Sequence, residues 1–226
     1  MKLSVIIPCF NEVQNITDVL DAVRAVDIPK EIIVIDDGST DNTAEVLQEY
    51  SKRYPIVIHS SAKNAGKGAA IRKGLEYVTG DIVIIQDADM EYDPKQYPEL
   101  IKPILEGKAD VVYGSRFRGK IEGMRLPNLI ANRILTLAAN ILYRAGITDE
   151  ATCYKAFRAD VIKKLPLKCM RFEFCPEVTA KLRKRGITIH EVPIHYKARN
   201  TAQGKKIKWT DGVQALWTLI KYRFVD

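Results

Sequence analysis

Apolar residues in the first half of the chain fall in short unbroken runs, separated by longer stretches with helical spacing. Residues 3–8 (Leu-Ser-Val-Ile-Ile-Pro) are the first run, and similar runs occupy 31–37, 56–58, 82–89 and 110–114. A run of four to eight residues rich in Val and Ile and bounded by turn formers predicts a strand buried on both faces. Between these runs, apolar positions three and four apart predict helices over about 13–26, 42–53, 68–78 and 95–106. Ser39 or Asp41 is positioned to cap the second of these, and Asn64-Ala65-Gly66-Lys67-Gly68 is a glycine-broken turn before the third. Strands alternating with helices imply βαβ units, hence an α/β fold whose mostly parallel central sheet is flanked by helices, with a Rossmann-like first half.

After Gly114 the pattern changes. Residues 115–119 (Ser-Arg-Phe-Arg-Gly) read as a basic, glycine-limited loop. A helix over about 128–145 carries Arg133, Thr136, Asn140 and Arg144 on one side, and Ile130, Ile134, Leu137, Ala138, Ile141 and Leu142 on the other. The plain reading is a surface helix with a solvated polar stripe. Residues 152–158 predict a strand or turn into a short helix. Another helix opens at 174–177, with Pro176 early in it, and closes at Gly186; a last strand covers 187–194. The basic stretch 196–208, with Arg199, Gly204, Lys205 and Lys206, has few apolar anchors and is expected to be a mobile flap that orders on an anionic ligand. A closing helix over 209–224 places Trp209, Val213, Leu216, Trp217, Ile220 and Phe224 on one face. That face suits core packing, or docking on a membrane surface or membrane partner.

Charge sharpens the division. Residues 1–150 hold 18 Lys and Arg against 22 Asp and Glu, whereas residues 151–226 hold 17 against 6. A basic second half suits phosphates on a nucleotide, a nucleic acid or lipid headgroups. Nucleic acid is the poorest fit, because the aromatic residues sit in apolar stripes and form no stacking platform. The 226 residues can bury the core of one domain. Cys9, Cys153, Cys169 and Cys175 match no zinc spacing and suit reduced, partly buried thiols. Of three histidines, His190 and His195 lie in a strand-like segment and read as structural. No leader is expected ahead of the first strand, and no run of about 18 uncharged apolar residues occurs.

The candidate chemistry lies at strand ends. Asn11-Glu12, Asp36-Asp37 and Asp87-Ala88-Asp89 each follow a predicted strand, and open α/β sheets bind ligands at that edge. Two carboxylates two residues apart repel unless a cation lies between them, and oxygen-only ligation favours Mg²⁺ or Mn²⁺. The alternative is a strand-end pair capping the next helix. Both the G-x-G-x-x-G fingerprint and a complete P-loop are missing.

Four first-half motifs in order (5–8 with Asn11-Glu12, 36–41, 64–68 and 87–89) resemble glycosyltransferase family 2, with its GT-A fold. Gly114-Ser115-Arg116, residues 152–155 and the 199–208 stretch make the chain most similar to the dolichyl-phosphate mannose and glucose synthase branch. The resemblance implies one GT-A domain over 1–226, with a nucleotide-sugar half (1–114) and an acceptor half (115–226). It implies a metal-dependent, inverting hexose transfer from a GDP- or UDP-sugar to dolichyl or polyprenyl phosphate. The implied donor set is Pro8, Phe10, Glu12, Asp37, Gly38, Lys67, Asp87, Ala88, Asp89 and Arg199. The implied metal ligands are Asp87, Asp89 and Glu91, the last standing where those synthases carry glutamine; Arg116 and Arg133 would bind the acceptor phosphate. Asp89, Arg116 and Arg133 would be the catalytic residues, while Asp149 and Glu150 would support the site by pairing with basic neighbours. A lipid acceptor implies a place at the cytoplasmic face of a membrane, by peripheral contact or through a small membrane protein. The same fold acting on a soluble or glycan acceptor is the alternative, and a non-catalytic nucleotide-binding module a further one.

Overall fold

The computed structural model describes residues 1–199 and 209–225. Seven strands form one sheet: β1 (Leu3–Cys9), β2 (Lys30–Asp36), β3 (Val57–Ser60), β4 (Ile82–Ile85), β5 (Val111–Glu122), β6 (Lys155–Arg158) and β7 (His190–Lys197). Their spatial order is β3-β2-β1-β4-β6-β5-β7. All neighbours pair in parallel except β6, which runs antiparallel to both β4 and β5. The mostly parallel sheet expected from the alternating pattern is therefore present, and β6 joins the two halves of the chain across it.

Eight α-helices accompany the strands among the described residues: α1 (Ile16–Ala25), α2 (Thr43–Ser51), α3 (Lys67–Leu75), α4 (Tyr97–Leu105), α5 (Leu126–Tyr143), α6 (Ala159–Ile162), α7 (Phe174–Lys184) and α8 (Trp209–Phe224). Successive strand side chains point to opposite faces. Thus Val5 and Ile7 of β1 join α1, α2 and α4 in one core, while Ile6 joins α3, α5, α7 and α8 in the other. Covering on both faces is the reason that the strands read as continuous apolar runs. Each fully buried Ile or Val contributes roughly 1.5–3 kcal/mol. The N-cap of α2 is Asn42, which makes no side-chain cap, and Asp41 just before it accepts from the Thr43 amide at 3.0 Å.

Two expectations give way. The predicted loop at 115–119 is part of β5, which continues to Glu122 with an irregular register against β7 between Ser115 and Lys120. Only glycine fits at position 119, because an added Cβ would stand 2.0 Å from the Ile194 carbonyl oxygen. The second correction concerns α5. Its buried residues are Leu135, Thr136, Ala139 and Tyr143, so the partly polar side turns inward. Leu126, Ile130, Ile134, Leu137 and Ile141 face solvent instead. On α8, Ala215, Thr218, Leu219 and Tyr222 are buried, whereas Trp209, Val213, Trp217 and Phe224 are exposed. The two helices pack together, with the Tyr143 hydroxyl donating to the Leu219 carbonyl at 2.5 Å. Their outward sides form an apolar surface, which sets aside core packing as the use of the α8 face. No described helix is long and apolar enough to cross a membrane. Of the expected flap, residues 200–208 lie outside the described residues.

Candidate active site

The carboxyl ends of β1, β2 and β4 open onto one edge, and their loops are tied to one another. Asn11, in the left-handed region at φ 51°, donates its amide to Ser39 Oγ at 2.9 Å and accepts from the Thr40 amide at 2.7 Å. The Glu12 amide donates to Thr43 Oγ1 at 3.0 Å. The Asp37 carboxylate accepts from the amides of Ala65 (3.0 Å) and Gly66 (2.6 Å). Gly66 sits at φ 101°, with the Met170 carbonyl oxygen 2.5 Å from where a Cβ would be. These contacts deliver Glu12 and Lys67, the first residue of α3, to the same corner as Asp87 and Asp89. Pro8 and Phe10 are half-buried at the end of β1, Gly38 takes φ 70°, and Ala88 is buried between the two aspartates. Asp37 is placed to shape the 64–66 loop: it is buried, and both its oxygens are engaged by backbone amides.

Carboxylates and cations interleave at the corner. The Lys67 ammonium contacts Asp87 Oδ1 and lies 3.0 Å from Cys153 Sγ. Arg199 reaches Asp89 Oδ2 at 2.7 Å and Glu12 Oε1 at 3.3 Å. Burial would raise the Asp87 carboxyl, but the adjacent Lys67 charge holds it below the usual range. Burial, reinforced by the charges of Asp87 and Glu91, pushes the Asp89 carboxyl up to about 7. Among the described residues, Glu12, Asp87, Asp89 and Glu91 face two cations, Lys67 and Arg199. With all four carboxylates ionised the corner is two positive charges short, and hard oxygen donors with that deficit fit a divalent cation.

Glu91 does not fit as a third ligand. Its Oε2 accepts from the Tyr196 hydroxyl at 2.9 Å and its Oε1 from the Arg199 amide at 2.8 Å, while its carbonyl accepts from the Lys197 amide at 3.1 Å. Among the described residues no group of three His, Cys, Asp or Glu is gathered as a metal site. Glu91 instead fastens the end of β7, so the metal expectation narrows to Asp87 and Asp89. Sequence offered no signal for this latch, because Tyr196 is 105 positions away.

The expected phosphate arginines take different partners. Arg116 is buried, and its fork is closed on Asp149: Nε to Oδ2 at 2.7 Å, Nη2 to Oδ1 at 2.7 Å, and its amide to Oδ2 at 2.9 Å. A carboxylate already occupies the geometry that a phosphate would take. In this structure Arg116 is a buried cation neutralised by Asp149 and lies 5.2 Å from the centre of the Tyr196 ring. Arg133 is exposed on α5, 3.9 Å from the centre of the Phe117 ring. Asp149 pairs with a basic neighbour as expected. Its loop is held by Glu191, which accepts from the amides of Thr148 (2.9 Å) and Asp149 (3.0 Å). Glu150 makes no ion pair among the described residues: it is fully buried, its Oε2 lacks a hydrogen-bond partner, and burial raises its carboxyl to about 8.

A family model described as Glycosyl transferase family 2 matches residues 4–166. A dolichol-phosphate mannosyltransferase of Pyrococcus furiosus is 29% identical over 211 residues, covering 91% of this chain and 59% of its own. The low-salt glycan biosynthesis hexosyltransferase Agl6 of Haloferax volcanii is 30% identical, covering 99% of this chain and 53% of its own. The chain thus spans little more than half of either. An uncharacterised protein of Methanocaldococcus jannaschii is 30% identical over 97% of this chain and 91% of its own. Among solved structures, glucosyl-3-phosphoglycerate synthase from Mycobacterium tuberculosis, in complex with Mn²⁺, UDP and glucosyl-3-phosphoglycerate, superposes with a TM-score of 0.77 at 24% identity. That match covers 100% of this chain and 81% of the synthase, and it shows the GT-A fold.

Proposed function

The chain belongs to glycosyl transferase family 2, and on that premise we propose that it transfers a hexose from a nucleotide-sugar to a prenyl phosphate at a membrane surface. The observation that carries this reading is the corner of Glu12, Asp87 and Asp89 with Lys67 and Arg199, acidic in excess, at the carboxyl edge of the parallel strands. Residues 1–114 are read as the donor half and 115–226 as the acceptor half. Pro8, Phe10, Glu12 and Gly38 would line the nucleoside side, with Asp37 holding that wall in shape. Asp87 and Asp89 would hold a Mg²⁺ or Mn²⁺ ion, which supplies charge neutralisation for the departing diphosphate. Lys67 and Arg199 would add fixed positive charge to the same leaving group.

An acceptor phosphate is already ionised at neutral pH, so its oxygen can attack the anomeric carbon without a general base. The new oxygen–carbon bond forms as the bond to the diphosphate breaks on the opposite side, inverting the centre, and the nucleoside diphosphate leaves. The histidines fit this economy by serving elsewhere: His59 pairs with Tyr77 at 3.1 Å and His195 with Glu122 at 3.2 Å. Arg133, exposed on α5, would meet the acceptor phosphate. Arg116 would act from behind, orienting Tyr196.

The outward sides of α5 and α8 support a lipid acceptor. Leu126, Ile134, Leu137, Ile141, Trp209, Trp217 and Phe224 are exposed there. Arg125, Arg133, Lys221 and Arg223 are also exposed on or beside the two helices, within which Asp211 is the only acidic residue. An apolar surface edged by cations fits a bilayer bearing anionic headgroups. The relative named as a dolichol-phosphate mannosyltransferase supports the same acceptor class.

Calorimetry with GDP-mannose, UDP-glucose and UDP-N-acetylglucosamine, each with Mn²⁺ or with EDTA, tests the donor site. Metal-dependent binding of one donor is expected, followed by transfer to a detergent-dispersed polyprenyl phosphate. Transfer to a soluble acceptor alone would replace the lipid reading, and no binding of any donor would sink the transferase reading.

A further inference from the structure

Arg199 occupies the position where the proposed site requires a metal and a diphosphate to meet. Its Nη2 lies 2.7 Å from Asp89 Oδ2, and its Nη1 lies 3.3 and 3.4 Å from the two Glu12 oxygens. Its backbone N–H donates a hydrogen bond to Glu91 Oε1, and the Tyr196 hydroxyl donates to the other oxygen of that carboxylate. The guanidinium is nevertheless incompletely satisfied: Nε is buried without a hydrogen-bond partner among the described residues, 3.8 Å from Glu91 Oε1. A guanidinium fork matches the oxygens of a phosphate group, which could engage that remaining donor.

We propose that Arg199 is an exchangeable internal counter-cation, neutralising Asp89 and Glu12 in the ligand-free protein and giving up Asp89 when a divalent cation arrives with a nucleoside diphosphate. The proposal rests on the reading of Asp87 and Asp89 as the metal carboxylates. Its physical basis is competition, since one carboxylate oxygen cannot serve a close guanidinium and a metal ion equally well. The diphosphate offers the displaced guanidinium new anionic partners, so the two ligands assist one another through Arg199. Glu91 is the positioning residue, because it keeps the Arg199 backbone at the corner while the side chain changes partners. By linkage, the factor by which the diphosphate raises the affinity for the metal is the factor by which the metal raises the affinity for the diphosphate.

The test is Mn²⁺ binding, read from the electron-paramagnetic-resonance signal of the free ion, with and without UDP or GDP. Removing a competing internal cation is expected to tighten binding of Mn²⁺ alone by about fivefold or more in Arg199→Gln. The same variant should bind the nucleoside diphosphate more weakly, and should show a smaller gain in Mn²⁺ affinity on its addition. Arg199→Lys, which keeps the charge and loses the fork, should fall between wild type and Arg199→Gln. Equal affinity of wild type and Arg199→Gln for Mn²⁺ alone, with nucleotide-dependent binding intact, would overturn the proposal and leave the site reading standing. Absence of Mn²⁺ binding in wild type with either nucleotide would remove the site reading and the proposal together.

Discussion

Replacing Asp149 with alanine strands the Arg116 guanidinium in the interior, and the structure permits an estimate of the consequence. Asp149 is fully buried and Arg116 is 5% exposed. Three hydrogen bonds from Arg116 end on the one carboxylate. Removing one partner of a buried pair typically costs about 3–5 kcal/mol, because the remaining charge has lost both its solvent and its counter-ion. With a urea slope of roughly 3 kcal/mol/M, suited to a chain of this size, the unfolding midpoint should fall by about 1–2 M. Asp149→Asn keeps the shape and one acceptor oxygen, so its loss should be smaller. The decisive measurement is a double-mutant cycle, in which Arg116→Met with Asp149→Leu removes both charges and should recover much of the stability. A loss below about 1 kcal/mol in Asp149→Ala would refute the assignment of a buried, mutually dependent pair. So would a double variant as unstable as the two single losses added together.

The buried acid and the exposed helices each carry an expected outcome. Glu150 has a carboxyl raised from 4.5 to about 8, so the folded state binds its proton more tightly than the unfolded chain does. Its stabilising protonation is complete below about pH 4 and is lost as pH rises toward 8. Urea midpoints should therefore decline over that range, and Glu150→Gln should decline less; an identical slope in the variant would count against the shift. For the α5–α8 surface, wild type should cosediment with phosphatidylglycerol vesicles at low salt and less at high salt. Exchange of Trp209 and Trp217 for serine should release it, whereas equal binding by that variant would remove this face as the docking surface.

Much of the donor half is legible along the chain, because its signals are local. Strands buried on both faces must be apolar throughout, so each run of Val and Ile marks a strand, and the polar residues after it mark the binding edge. Asn11-Glu12 and Asp87-Asp89 are readable for that reason. The spacing after β4 places Glu91 near the aspartates, but it carries no information about Tyr196 and Arg199, which divert its carboxylate to another purpose. Arg116 is recognisable as a basic residue near a strand end, yet its partner Asp149 lies 33 positions away. Charge alone cannot tell a waiting phosphate ligand from a cation already neutralised.

The amphipathic helices mark the same boundary from the other side. Periodicity divides α5 and α8 into two faces, as it must, since side chains three and four apart share a side. It does not say which face turns inward, and on α5 Thr136 and Tyr143 are buried while Ile130 and Ile141 are not. Short-range pattern encodes burial and turn geometry, so the α/β alternation, the parallel sheet and the acidic edge could all be read from the order of residues. Which carboxylate meets which cation, and which apolar face is left to solvent, emerged only on folding, because those outcomes depend on contacts between elements distant in the chain.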